Sequence, residues 1–255
     1  MPKPISITII GAGNVATHLA KQFINHPQIH LLQMYNRNID KLKKFENDTE
    51  IIKDIKLLKP ADVIIISITD DAIGDFSKKL SGLDSLIVHT SGSVAMSELL
   101  VKRKGVFYPF QTFSKSVTTM NFAPIPILIE AEIAKDLILL KKLGNLLSNN
   151  VLEVNSKQRL ALHVSGVFAA NFVNRLYAEA ELILLENNLS FDLLKPLILE
   201  VAQKVQNISP LEAQTGPAIR GDRNILEKHL KFLKDEAQKE IYKILTDRIG
   251  KKQKK

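Results

Sequence analysis

The chain is 255 residues long, 45% hydrophobic and 24% charged, with a formal net charge of +8 at pH 7 and no cysteine. These values describe an ordinary globular protein with room for one large domain or two modest ones. They exclude disulfides, thiolate catalysis and iron–sulfur clusters, and no apolar run approaches the roughly 18 residues needed to cross a bilayer.

Ile5–Ile10 is an apolar, β-branched run that predicts a buried strand. From Asn14 onward Val15, Leu19 and Phe23 fall four apart, which is helical spacing. Gly11, Gly13 and Ala16 therefore sit on a strand-to-helix turn, the context in which G-x-G-x-x-A reads as a dinucleotide cradle. Gly11 permits the turn, Gly13 lets backbone approach a pyrophosphate, and Ala16 lets the helix pack near the strand. Gly11, Gly13, Asn14 and Val15 are the expected cofactor contacts, with phosphates at the helix N-terminus. No Lys-Ser/Thr pair follows to make a mononucleotide P-loop.

Residues 29–36 read as a second strand that ends in Tyr35-Asn36-Arg37-Asn38. In a dinucleotide fold an acidic side chain near this position grips the ribose 2′-hydroxyl of NAD. Asn36 stands there instead, and Arg37 offers a guanidinium suited to a phosphate. This favours NADP (NADPH) as cofactor.

Further along, residues 40–47 read as a short helix, 61–69 as a fully buried strand, and 72–80 and 97–103 as helical pieces. Residues 85–93, 105–110 and 125–131 continue the strands. Alternating strands and helices over residues 1–154 predict a doubly wound, parallel α/β domain. Ligands of such sheets bind beyond the strands' carboxyl ends, which makes Thr69, His89 and Ser91 candidate cofactor contacts. Asp70-Asp71 reads first as a helix N-cap. Gln111 is placed in the substrate cleft, whereas Phe110 and Phe113 read as packing.

The pattern changes at Asn155. Ser156 is the expected N-cap of a helical run to about Asn187, and 192–206 and 224–245 read as further helices. Residues 155–250 thus form an all-helical substrate and dimerisation domain. Its long apolar helix needs more cover than so small a domain supplies, which a homodimer provides. In "TGPAIRGD", Asp222 reads as an N-cap and Arg220 as a fork for a substrate carboxylate. Residues 251–255, "KKQKK", carry four of the positive charges and read as a disordered basic tail. The remaining body is mildly basic and lacks the basic–aromatic interleaving of a nucleic-acid platform.

Taken together, "GAGNVATHLA", "HTSGS", "FYPFQTF", "HVSGVFAANFVN" and "QTGPAIRGD" resemble the bacterial Rossmann-like proteins that carry the domain of unknown function 2520. That group is similar to the 6-phosphogluconate, prephenate and pyrroline-5-carboxylate dehydrogenases and reductases. The resemblance implies an N-terminal NAD(P) domain, a helical dimerising C-terminal domain and an active site in the cleft between them. Tyr108 stands where prephenate dehydrogenases have His, which argues against that reaction.

The chemistry is expected on the long helix. At 100° per residue Ser156, Leu160, His163, Val167, Asn171 and Asn174 fall within a sector roughly 80° wide. Relatives of this architecture use this helix at the nicotinamide, and His163 can exchange a proton near neutral pH. His163 is the expected general acid/base, Asn171 and Asn174 orient substrate, and Lys157 is the fallback proton donor. No metal is expected, because Pro27 breaks the His26/His30 pair. The first strand starts close to Met1, leaving no room for a signal peptide, so a cytoplasmic location is expected. Two functions fit: an NADP-dependent oxidoreductase acting on a small, carboxylated substrate, or a dimeric NADP-binding sensor without turnover.

Overall fold

The computed structural model describes residues 3–114 and 120–251; residues 252–255 of the basic tail lie outside them. Two compact units divide the chain, residues 1–168 and 169–255. The division falls within the long helical run rather than at its start near Asn155.

The first unit is built on one eight-stranded sheet. Its strands are β1 (Ile5–Ile10), β2 (Ile29–Tyr35), β3 (Glu50–Ile52), β4 (Val63–Ile66), β5 (Leu86–His89), β6 (Lys104–Pro109), β7 (Ile127–Ala131) and β8 (Val151–Glu153). Their order is β3-β2-β1-β4-β5-β6-β7-β8. All neighbouring pairs are parallel except β6 and β7. Between those two strands no helix occurs among the described residues, and without a crossover helix a strand returns antiparallel. The sheet is therefore mostly rather than wholly parallel.

Side-chain alternation divides the core between the two faces of the sheet. On one face Ile7, Ile9, Val63 and Ile65 pack with Leu19 and Phe23 of α1 (Asn14–Ile24) and with Leu140 and Leu143 of α3 (Ala134–Asn145). On the other, Ile10, Ile64, Ile66 and Ile87 pack with Ile73 of α2 (Ile73–Lys78), Leu80 and Leu99. Burial on both sides explains why these strands read as unbroken apolar runs.

Several local expectations are corrected. Residues 97–103 hold no α-helix; only Met96–Glu98 forms a 3₁₀ turn. Residues 40–47 give a 3₁₀ helix, Ile39–Phe45, capped by Asn38. The run expected over 224–245 is two helices, α9 (Arg223–Phe232) and α10 (Glu236–Gly250), and Asp235 caps the second. Asp222 caps α9 as expected.

The long helical run begins with α4 (Ser156–Gly166), passes through a π-helical segment, Val167–Phe172, and continues as α5 (Val173–Glu186). Its cap is Asn155, not Ser156. Asn155 accepts from Gln158 N at 2.9 Å, and Gln158 Oε1 accepts from Asn155 N at 3.0 Å, a reciprocal capping box. The second unit also contains α6 (Lys195–Asn207), α7 (Pro210–Ala213) and α8 (Pro217–Arg220). Among the described residues no helix is long and apolar enough to cross a membrane.

Candidate functional site

The order of the sheet reverses between β1 and β4, and ligands of open α/β sheets bind at such a switch point, beyond the strands' carboxyl ends. The β1–α1 turn lies there. Gly11 has φ +122°, and a Cβ on it would stand 2.0 Å from Ser67 O, so only glycine fits. Gly13 caps α1 in an extended conformation without a side-chain cap, and a Cβ there would meet no protein atom within 4 Å. The first turn of α1 carries no acidic residue, leaving its N–H groups and positive dipole end to an anion. On the same helix Asn14, His18 and Gln22 hold the chain beyond β6. Asn14 Nδ2 donates to Phe113 O at 2.8 Å, His18 Nε2 lies 3.1 Å from Ser114 O, and Gln22 Nε2 donates to Met120 O at 3.1 Å.

A cavity of about 1260 Å³ opens at this turn, larger than the usual 300–1,000 Å³ or so of a small-molecule pocket. Where β2 ends it is lined by Asn36, Arg37, Lys41 and Lys44; where β5 and β6 end, by Ser91, Gly92, Tyr108 and Gln111. Four strand spacings separate β2 from β6, about 19 Å at about 4.8 Å each. The β2 end is cationic. At the middle strands Asp70 lines the cavity, and its Oδ2 accepts from Ser91 Oγ at 2.8 Å. Asp70 is thus tied to the loop that follows β5 instead of capping a helix.

His163 completes the β6 end of the cavity, brought there by the anchoring of α4. Ser156 donates through Oγ to Glu130 Oε2 at 2.9 Å and accepts from Met96 N at 3.0 Å. Arg159, fully buried, pairs with Glu130 on β7 and donates to Val94 O at 2.5 Å. A buried pair of this kind costs about 3–5 kcal/mol when one partner is removed, so the position of α4 is strongly specified. One turn further on, His163 Nδ1 stands 3.0 Å from the Tyr108 hydroxyl, with the two rings edge to face. Two glycines make room for this packing. A Cβ on Gly92 would lie 2.5 Å from His163 Nδ1, and one on Gly166 would lie 2.8 Å from the Phe110 ring. Burial, and then the Asp70 carboxylate, push the Tyr108 phenol above its ordinary value, so it stays protonated.

Of the residues expected from sequence, Gly11, Gly13, Asn14, Val15, Asn36, Arg37, Thr69, Ser91, Gln111 and His163 all line this one cavity. His89 and Lys157 do not. His89 is fully buried, with its Nδ1 accepting from Ser91 N at 3.1 Å. Burial and the Arg159 guanidinium lower its pKa to about 3, so it stays neutral. Lys157 is exposed. Asn171, Asn174 and Arg220 belong to the second unit and are exposed. The π-helical segment between His163 and Asn174 interrupts the α-helical ladder, so the 100° spacing used to align them does not carry through.

Tyr108, Asp70, Lys41 and Lys44 were not singled out from sequence as site residues. The lysines follow Arg37 at spacings that any solvated helix face shares, and Asp70 carried the commoner signal of a cap. Among the described residues no three His, Cys, Asp or Glu side chains could hold a metal ion.

Residues 6–91 match the family model described as NADP oxidoreductase, coenzyme F420-dependent, and residues 125–249 match the domain of unknown function DUF2520. No curated protein matches the chain. A crystal structure of a candidate NADP oxidoreductase from Bacteroides fragilis is 38% identical, with a TM-score of 0.89, covering 98% of this chain and 99% of that one. Protein TM1727 from Thermotoga maritima is 20% identical, with a TM-score of 0.73, over 95% of this chain and 96% of its own. A reductive aminase from Aspergillus terreus, solved with NADPH and ethyl levulinate, is 15% identical, with a TM-score of 0.68, over 96% and 93%. The last two likenesses are of fold alone.

Proposed function

Because the chain belongs to the family of Rossmann-type oxidoreductase-like proteins that carry the domain of unknown function 2520, we propose that it is an NADP-dependent oxidoreductase acting on a small carbonyl compound. The residues present suit the cofactor. The open space at Gly13 and the uncapped N-terminus of α1 fit a pyrophosphate. Arg37, Lys41 and Lys44 fit the 2′-phosphate that distinguishes NADP, and Asn36 places no negative charge against it. Bound there, the cofactor supplies or accepts a hydride.

The observation that carries the reading is the Tyr108–His163 pair on the wall of the same cavity. Hydride transfer to a carbonyl leaves an oxygen that needs a proton, so the reaction requires a positioned acid or base. A protein that only senses NADP requires none. His163 is the proposed acid/base, acting together with the Tyr108 hydroxyl it meets.

The second unit supports a homodimer. Leu197, Val201 and Val205 form an i, i+4, i+8 stripe on α6, and Leu185, Phe232 and Ile244 are also exposed. We read these faces as cover for a second copy of the chain. The enzymatic proposal is tested by following reduced nicotinamide absorbance against a panel of small ketones and 2-oxo acids. Consumption of NADPH that depends on both substrate and enzyme supports it. A purified protein that binds NADPH and turns over nothing in the panel favours the sensor reading.

A further inference from the structure

The Tyr108–His163 contact raises the question of which group hands the proton to substrate. His163 Nδ1 is already committed: the Tyr108 hydroxyl lies 3.0 Å away, and the ring edge bearing Nδ1 fills the space that a side chain on residue 92 would take. The Tyr108 hydroxyl that meets Nδ1 itself lines the cavity. Tyr108 and His163 both line that cavity, with Gln111 and Ser91 nearby.

We propose that Tyr108 is the proton donor to the substrate and that His163 recharges it through Nδ1. The inference rests on the oxidoreductase reading. The bound cofactor would supply a hydride to the carbonyl carbon and be oxidised in doing so, and the C=O π pair would move onto oxygen. That oxygen takes the proton of Tyr108 Oη, and Oη takes the Nδ1 proton of the His163 imidazolium. The products are an alcohol, a neutral phenol and a neutral imidazole that keeps its remaining proton on Nε2. The Tyr108 hydroxyl then donates to the vacated Nδ1. No tyrosinate accumulates, which suits a phenol that burial holds protonated.

The test compares the full-length protein with Tyr108→Phe. In the first arm, ¹⁵N spectra are recorded over a pH series up to the alkaline plateau at which the imidazole resonances stop moving, and His163→Gln assigns the resonances. The expected result is a proton on Nε2 and an Nδ1 resonance shifted by an accepted hydrogen bond, a shift that Tyr108→Phe removes. A neutral His163 carrying its proton on Nδ1, or an Nδ1 resonance indifferent to Tyr108→Phe, overturns the proposal. In the second arm NADPH oxidation is followed with pyruvate, 2-oxobutyrate, acetoacetate and cyclohexanone. Loss of a general acid predicts a fall in kcat of about 10²–10⁴-fold in Tyr108→Phe with KM little changed. A kcat within about threefold of the wild type overturns the donor role alone. Absence of turnover in the wild type, with the spectroscopic signature intact, overturns the oxidoreductase reading and the donor role with it.

Discussion

The Tyr108 hydroxyl meets His163 Nδ1 at 3.0 Å, and it does so because position 92 has no side chain. A methyl group on Gly92 would occupy the space of the imidazole, with its carbon 2.5 Å from Nδ1 and 2.9 Å from the His163 Cβ. Gly92 does not have the positive φ that favours glycine, so alanine there strains contacts rather than backbone. Gly92→Ala is expected to displace the His163 ring and to lower kcat by about 10²–10⁴-fold. Turnover and melting temperature of the variant check this; wild-type turnover would show that the ring has no catalytic duty.

The two glycines of the nucleotide turn are expected to fail differently. Gly11→Ala forces a Cβ into Ser67 O and cannot hold the turn, so the variant should lose solubility or melt far earlier. Gly13→Ala meets no protein atom and should melt like the wild type. Its methyl group faces the space proposed for the pyrophosphate, which should weaken NADPH binding about tenfold or more, about 1.4 kcal/mol. Calorimetry and thermal melts on both variants separate the two roles.

Stability should respond to pH through His89. Its native pKa of about 3 lies below the unfolded value of about 6.5, so the unfolded chain binds the extra proton. The contribution is therefore complete above about pH 6.5 and lost as pH falls toward about 3. At pH 5 His89 alone should cost about 2 kcal/mol relative to pH 7.5. Denaturant midpoints at the two pH values check this, and His89→Gln should flatten the difference.

The exposed stripe on α6 leads to an expected dimer. Light scattering at micromolar concentration should return twice the chain mass, and Leu197→Glu with Val201→Glu should shift the protein toward monomer. A wild-type monomer at that concentration would contradict this use of the stripe.

Much of the first unit was legible because burial on both sheet faces writes itself as uninterrupted β-branched runs, as in Val63–Ile66. The glycine turn was legible because Gly11 has no alternative at its φ. Strands β3 and β8, each three residues long, are too short for a periodicity to show. Nothing local announced that β7 would run antiparallel, since that depends on how the chain from Pro109 to Ile127 returns. For the cavity lining, the residues that follow strands were legible in sequence, since the fold delivers them to one edge. Tyr108 was noticed only as a departure from His, and its partnership with His163 joins positions 55 residues apart. The alignment of His163 with Asn174 assumed an unbroken α-helix, which the π-helical segment removes.

The central claim, that the cavity at the β1–α1 turn takes NADP(H), is tested most directly by calorimetric titration of the wild type and Arg37→Ala with NADPH and NADH. Losing a charge-assisted contact of roughly 1.5–3 kcal/mol corresponds to about ten- to hundredfold in affinity. The wild type should bind NADPH more tightly than NADH by that factor, and Arg37→Ala should erase most of the difference. Equal affinities of the wild type for the two cofactors would contradict the account.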